Sequence, residues 1–220
     1  MTAPPNAKNG PQDGALEQFA ARVAHDFNNL LTGILGNLEL LQLRTARNHI
    51  TGLDSYLDGA NSAGTRAVAF AARLMAYSGR GASPPVLVQP DTLLANFAPQ
   101  AMCSLAAGEA AFCGDPAQFE LAMAELLANA RAAGGDIFIS SAQAGACLIV
   151  TVRDTGRGMP PDILARAPEP FFTTHANSTG RGLGLPIVAR VMRDFGGGMA
   201  IEAQEGAGCT VTLEFPCATP

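Results

Sequence analysis

Between residues 16 and 41 the apolar side chains Leu16, Phe19, Ala20, Val23, Phe27, Leu30, Leu31, Ile34, Leu38 and Leu41 return every three or four positions. This recurrence constrains the fold most strongly, because it lays a coiled-coil-like stripe along one helix that has to be covered by other helices. A second helical stretch, around Thr51–Tyr77, has Leu53, Leu57, Val68, Leu74 and Met75 among its apolar positions. Together they read as a helical hairpin. A lone hairpin buries little, so a four-helix bundle built with a second copy is the expected solution. Each fully buried Leu or Phe contributes about 1.5–3 kcal/mol gross to such an association.

Inside the stripe lies a polar cluster, VAHDFNNLL at 23–31. At about 100° per residue the stripe centres roughly 170° from His25, and Asn29 falls roughly 40° from it. His25 is therefore expected to face outward while the opposite side of its helix packs. Taken alone, the stretch fits two readings: an amphipathic helix with incidental surface groups, or a polar cluster that works in solvent.

The 220 residues are 48% apolar and 15% charged, enough to bury a substantial core. Fourteen basic and 19 acidic side chains give −5 without a basic run, so neither nucleic acid nor an anionic membrane is an expected partner. The five cysteines (Cys103, Cys113, Cys147, Cys209, Cys217) are odd in number and form no CxxC pair. With no apolar leader and no long apolar run, a reduced, cytoplasmic chain is expected. The tail MTAPPNAKNGPQDG, 1–14, lacks periodicity and reads as disordered. The hairpin then occupies 15–79, a linker centred on GRGASPPV spans 80–90, and a mixed α/β domain fills 91–217.

Within that domain, DPAQ offers Asp115 as N-cap, Pro116 at the first helical position and Gln118 for a capping box. The helix should run to Ala133 and stop at Gly134-Gly135. Strands are predicted over Ile137–Ser140, Cys147–Val152, Met199–Ala203 and Thr210–Phe215. ELLANA (125–130) places Glu125 and Asn129 four apart on one helix face. DTGRGMP (154–160), EPFFTTH (169–175) and GRGLGLPIV (180–188) follow in that order. Each string is weak alone, but the ordered set is specific.

On those strings the chain resembles the two-component sensor histidine kinases, whose ATP-binding domain belongs to the gyrase and heat-shock-chaperone ATPase superfamily. HDFNNLLTGILGNLELL looks like their phosphoacceptor box, ELLANARAA their N box and RDTGRGMP their first glycine box. EPFFTTHANSTGRGLGL looks like the F box, lid and second glycine box, and GGGMAIEAQEGAGCTVTLEFP resembles the closing strands. The resemblance runs from about residue 15 to 216. The implied fold is α+β: a helical hairpin forming a dimeric four-helix bundle, followed by an α/β sandwich that binds ATP.

The resemblance also implies roles. His25 becomes the phosphoryl acceptor, Asp26 a proton acceptor beside it, and Asn29 a residue orienting water for the reverse reaction. Asn129 would hold Mg²⁺ through its amide oxygen, as suits a hard ion. Asp154 would accept from the adenine amino group, with Gly156 and Gly158 letting backbone approach the base. Gly180, Arg181, Gly182, Leu183, Gly184 and Leu185 would surround the phosphates at a helix N-terminus that carries Pro186 in its first turn. Phe171 and Phe172 are hinge or core residues in this reading.

The implied reaction is autophosphorylation of His25 from ATP and transfer to an aspartate on a response regulator receiver domain. Specificity for that regulator is expected on the outward face around Gly33, Gly36 and Asn37. Three features depart from the family pattern. Glu125 replaces the first asparagine of the common N box, as in the superfamily's ATP hydrolases. Cys209 stands where a threonine is usual near the adenine. No sensor domain precedes residue 15 and no receiver follows residue 216, which implies a separate sensor protein or a relay role. The alternative is a histidine phosphotransfer protein on a kinase-like scaffold that relays phosphate without ATP. A plain ATPase using Glu125 as base leaves the HDFNN helix unexplained.

Overall fold

The structure, a computed structural model, describes residues 24, 27–28, 31–36, 38–43, 45, 54–79, 83–170, 172–174 and 182–218. The 1–14 tail, His25, Asp26, Asn29, Asn37, Gly180 and Arg181 lie outside these residues. The chain divides into two compact units, Met1–Gly81 and Ala82–Pro220.

In the first unit, the described residues between 24 and 45 are helical (α1), and α2 spans Asp54–Tyr77. Ala24 and Leu31 of α1 are buried, as are Leu57, Ala71, Leu74 and Ala76 of α2. The helices approach closely at Gly64, where an added Cβ would lie 2.9 Å from Leu35 Cγ and would push that side chain aside. Asn28 Nδ2 donates to Met75 Sδ at 3.7 Å, a second tie between them. Gly79, at φ 71°, ends α2 in the left-handed region, and its N–H bonds back to the Ala76 carbonyl. One part of the stripe stays uncovered within this single chain. Phe27, Ile34 and Leu41, seven residues apart, remain 39%, 51% and 49% exposed.

The second unit is a helix layer on a mixed sheet. Strands β2 (Met102–Ala106), β4 (Ile137–Ala144), β5 (Cys147–Asp154), β6 (Gly198–Gln204) and β7 (Gly208–Pro216) form a sheet of order β2-β4-β5-β7-β6. Only β2 and β4 are parallel in it. A separate antiparallel pair joins β1 (Val86–Val88) to β3 (Phe112–Gly114). Short α3 (Pro90–Leu94) and α5 (Pro161–Arg166) accompany the longer α4 (Pro116–Ala133) and α6 (Gly184–Asp194). Leu148, Val150 and Val152 alternate with Val211, Leu213 and Phe215 on the covered sheet face. Phe119, Met123 and Leu127 of α4 and Ile187, Val188 and Met192 of α6 are buried in the same core. Phe112, Phe119, Phe195 and Phe215 close one end of that core, with the Phe112 and Phe215 rings stacked at 4.4 Å.

The α4 start follows the sequence signal, with one difference. Asp115 caps Ala117 N–H at 2.9 Å, but its other oxygen takes Ser83 N–H at 2.6 Å instead of the cap closing through Gln118. The segment read as linker to residue 90 contains β1, whose Val88 is 3% exposed, so its end is part of the second unit's core. Turn chemistry in SPPV masked three strand residues whose pairing is wholly non-local. Among the described residues no helix is long and apolar enough to cross a membrane.

Candidate functional site

Two glycine-rich segments and one helix face meet at one end of the second unit. Helix α4 presents Glu125, 4% exposed, and exposed Asn129 one turn later. Gly184, the first residue of α6, faces them: a Cβ there would lie 3.2 Å from Glu125 Oε2 and 3.3 Å from Asn129 Nδ2. The N-terminal amides of α6 therefore open beside this pair, where an anionic group gains from unpaired N–H groups and the helix dipole. Leu183 caps α6 from a fully buried position, and Gly182 precedes it at φ 69°. Leu185, second in the helix, is half-buried.

Asp154 ends β5 and is 6% exposed. Its Oδ1 accepts Gly156 N–H at 2.9 Å, leaving Oδ2 without a hydrogen bond among the described residues. The loop after it is stitched to the end of α4. Arg157 N–H donates to the Ala133 carbonyl at 3.2 Å, and Thr155 exchanges two bonds with Asp136. A Cβ on Gly156 would lie 2.5 Å from the Ala133 and Gly134 carbonyl oxygens. Gly158, at φ 65°, sits against the Gln204 carbonyl, and Gly208, at φ 90°, against the Asp154 carbonyl. Backbone thus packs against backbone at this end, and these positions have no room for a side chain.

Cys209 pairs with Asp154 across β5 and β7 and is half-buried. Burial and, second, the Asp154 negative charge push its thiol up to about 11. It stays neutral at physiological pH.

Of the sequence-derived candidates, Glu125, Asn129 and Gly184 are brought into contact, and Asp154, Gly156 and Gly158 form a second cluster by the end of the same helix. Gly208 and Gln204 were missed. The signal for them was the glycine-rich EGAGC turn, which shows nothing of its approach to Asp154 until β5 and β7 pair. Phe172 lies under Arg166, Cζ 4.1 Å from the ring centre, consistent with a packing residue. A cavity of about 580 Å³, lined by Leu87, Thr92, Leu93, Glu109 and Pro116, opens elsewhere in the unit and shares none of these groups.

The residues present fit a purine nucleoside triphosphate: a buried carboxylate acceptor at Asp154 and a helix N-terminus at Gly184. They also fit Mg²⁺. Among the described residues no three His, Cys, Asp or Glu cluster together. One amide oxygen at Asn129 suffices, however, for an ion that completes its shell with water and phosphate oxygens.

Residues 114–219 match the family model for histidine kinase-, DNA gyrase B- and HSP90-like ATPases. Residues 15–78 match the His Kinase A (phospho-acceptor) domain. The chain is 29% identical to sensor kinase CckA of Brucella abortus, over 92% of this chain and 24% of that protein. It is 28% identical to nitrogen regulation protein NtrY of Azorhizobium caulinodans, over 94% of this chain and 29% of that protein. It thus spans about a quarter of the length of these curated relatives. Full-length ShkA, solved in complex with AMPPNP, has the same fold over 93% of this chain and 46% of its own, at TM-score 0.75 and 23% identity.

Proposed function

Because this chain belongs to the two-component sensor histidine kinases, we propose that it is an ATP-dependent protein-histidine kinase. It autophosphorylates His25 and passes the phosphoryl group to an aspartate on a response regulator receiver domain. The observation that carries this reading is the contact of Gly184 with both Glu125 and Asn129. It sets an anion-binding helix N-terminus against an oxygen donor for a cation, as phosphoryl transfer requires. In this reading 15–79 is the phosphotransfer hairpin and 91–217 the ATP-binding domain, at work in the cytoplasm.

The adenine amino group donates to Asp154 Oδ2, and the triphosphate lies along the α6 N-terminus with Gly182 and Gly184. Asn129 would hold Mg²⁺ through its amide oxygen, and the ion would neutralise charge on the phosphate oxygens. An imidazole nitrogen of His25 attacks the γ-phosphorus. The N–P bond forms as the bond to the ADP oxygen breaks, and the ring proton passes to Asp26 or water. The attack uses the lone pair of a neutral imidazole nitrogen. Asn29 orients water when the phosphoryl group is hydrolysed.

The chain acts as a homodimer through the hairpin. Phe27, Ile34 and Leu41 leave a heptad-spaced apolar line open, which a second copy covers as a four-helix bundle. Incubation with γ-labelled ATP tests the kinase reading: acid-labile label should appear on the chain and be lost in His25→Ala, with nucleotide binding retained. Label persisting in His25→Ala would refute the acceptor assignment.

A further inference from the structure

The groove of about 580 Å³ that shares no residue with the nucleotide end is walled by Leu87 and Gln89, by Thr92 and Leu93 of α3, and by Glu109 and Pro116. Its volume falls among those that take a ligand or several side chains, about 300–1,000 Å³. The walls are braced before anything binds. Asp91, in the first turn of α3, accepts Ala107 N–H at 3.1 Å and Gly108 N–H at 3.0 Å through Oδ2. Its Oδ1 takes the hydroxyl of buried Ser141, which itself receives Ala106 N–H at 3.1 Å. One carboxylate thus ties the turn bearing Glu109 to the helix bearing Thr92 and Leu93, and a ligand meets a preformed groove.

Backbone and charge decide what fits. Among the described residues β1 pairs with β3 alone, so its other edge offers unpaired N–H and C=O groups to an added strand. Leu87, opposite Cys113, is 59% exposed, whereas Val88, opposite Phe112, is buried. The Leu87 face of the pair therefore floors the groove, and alternate side chains of an added strand lie over it. The surroundings are anionic: residues 81–130 contain Asp91, Glu109, Asp115, Glu120 and Glu125 and no Lys, Arg or His. Glu109 is the charged side chain of the lining, with no cation beside it there. We propose that this groove docks an extended segment of a partner protein, which adds as a strand to β1 and sets a Lys or Arg against Glu109. Pro84 and Pro85 carry no N–H, which confines the added strand to Val86–Val88. So short an edge makes few hydrogen bonds. Apolar side chains seated over Leu87 and Leu93 supply the remaining affinity, and the cation fixes the register.

Two blocked peptides that alternate valine with threonine test this, one with a central lysine and the other with glutamate in its place. Each is titrated by calorimetry into the full chain and into Glu109→Lys, and amide hydrogen exchange is followed on the lysine-peptide complex. The lysine peptide should bind about fivefold more tightly than the glutamate peptide, and Glu109→Lys should reverse the order. Exchange across Val86–Val88 should slow on binding. Thr92→Trp, which fills the groove from an exposed position, should weaken both peptides and leave ATP affinity unchanged. No binding of the lysine peptide, a preference that Glu109→Lys does not reverse, or unchanged exchange across β1 overturns the proposal. A change in sedimentation of the peptide-free chain on Glu109→Lys overturns it too, because a second copy then fills the groove. ATP binding by the unmodified chain is measured alongside, and its failure would count against the nucleotide reading alone.

Discussion

Gly158 and Gly145 provide a matched test of whether the loop after Asp154 is set by close packing. Both are left-handed, at φ 65° and 62°, so alanine costs each about 1–2 kcal/mol in backbone conformation. Their surroundings differ. A Cβ at Gly145 meets nothing within 4 Å, whereas at Gly158 it overlaps the Gln204 carbonyl oxygen and lies 2.7 Å from that carbonyl carbon and 2.9 Å from Gly208 O. Ordinary contacts sit at about 3.5–4.0 Å, so the loop must retreat by about 1 Å. Its neighbours are backbone atoms of the β6–β7 turn, which no rotamer change can move aside. Overpacking of this kind adds about 1–3 kcal/mol, giving about 2–5 kcal/mol for Gly158→Ala. At about 2–4 °C per kcal/mol for a chain of this size, Gly145→Ala should melt a few degrees low and Gly158→Ala clearly lower. If the loop yields instead of the fold, the loss appears in nucleotide binding, because the retreat carries Gly156 away from Asp154. Thermal denaturation and ATP calorimetry on both variants separate these routes. Equal melting temperatures with equal ATP affinities would refute the packing argument.

Asp115→Ala removes the acceptor for both Ala117 and Ser83 and should cost about 2 kcal/mol in thermal denaturation, with Asp115→Asn recovering much of it. Ile34→Asp places a charge on the open heptad line and should shift sedimentation from dimer to monomer while leaving ATP binding by the second unit measurable. The Cys209 thiol is held higher in the folded chain than in the unfolded one. Its contribution is therefore complete below about pH 9 and declines as pH rises toward about 11. Denaturation midpoints should fall across that window, and Cys209→Ser should flatten the fall.

What could be read from the residues depended on how local each cause is. The α4 boundaries were visible because Asp115, Pro116 and Gly134 act within one turn of themselves, and the structure places the helix at Pro116–Ala133. β5 and β7 were visible because alternation over eight and nine residues is a local pattern, although both run further than predicted. β1 and β3, three residues each, have no pattern to show and exist only because Val86–Val88 finds Phe112–Gly114. β2 hides differently: MCSLA is exposed at four of five positions, so a half-buried alternation never appears. α5, six residues that open at Pro161 after the Pro160 cap, is too short for periodicity. The site divides along the same line. Its residue types could be listed from the motif strings, but not that Gly184 meets α4 beside Glu125 and Asn129. That contact belongs to Gly184 because α6 starts there and packs on α4. A side chain at Gly184 would press on the Asn129 amide and the buried Glu125 carboxylate together. The spacing of the glycines is therefore local information, and the approach of Gly184 to α4 is tertiary.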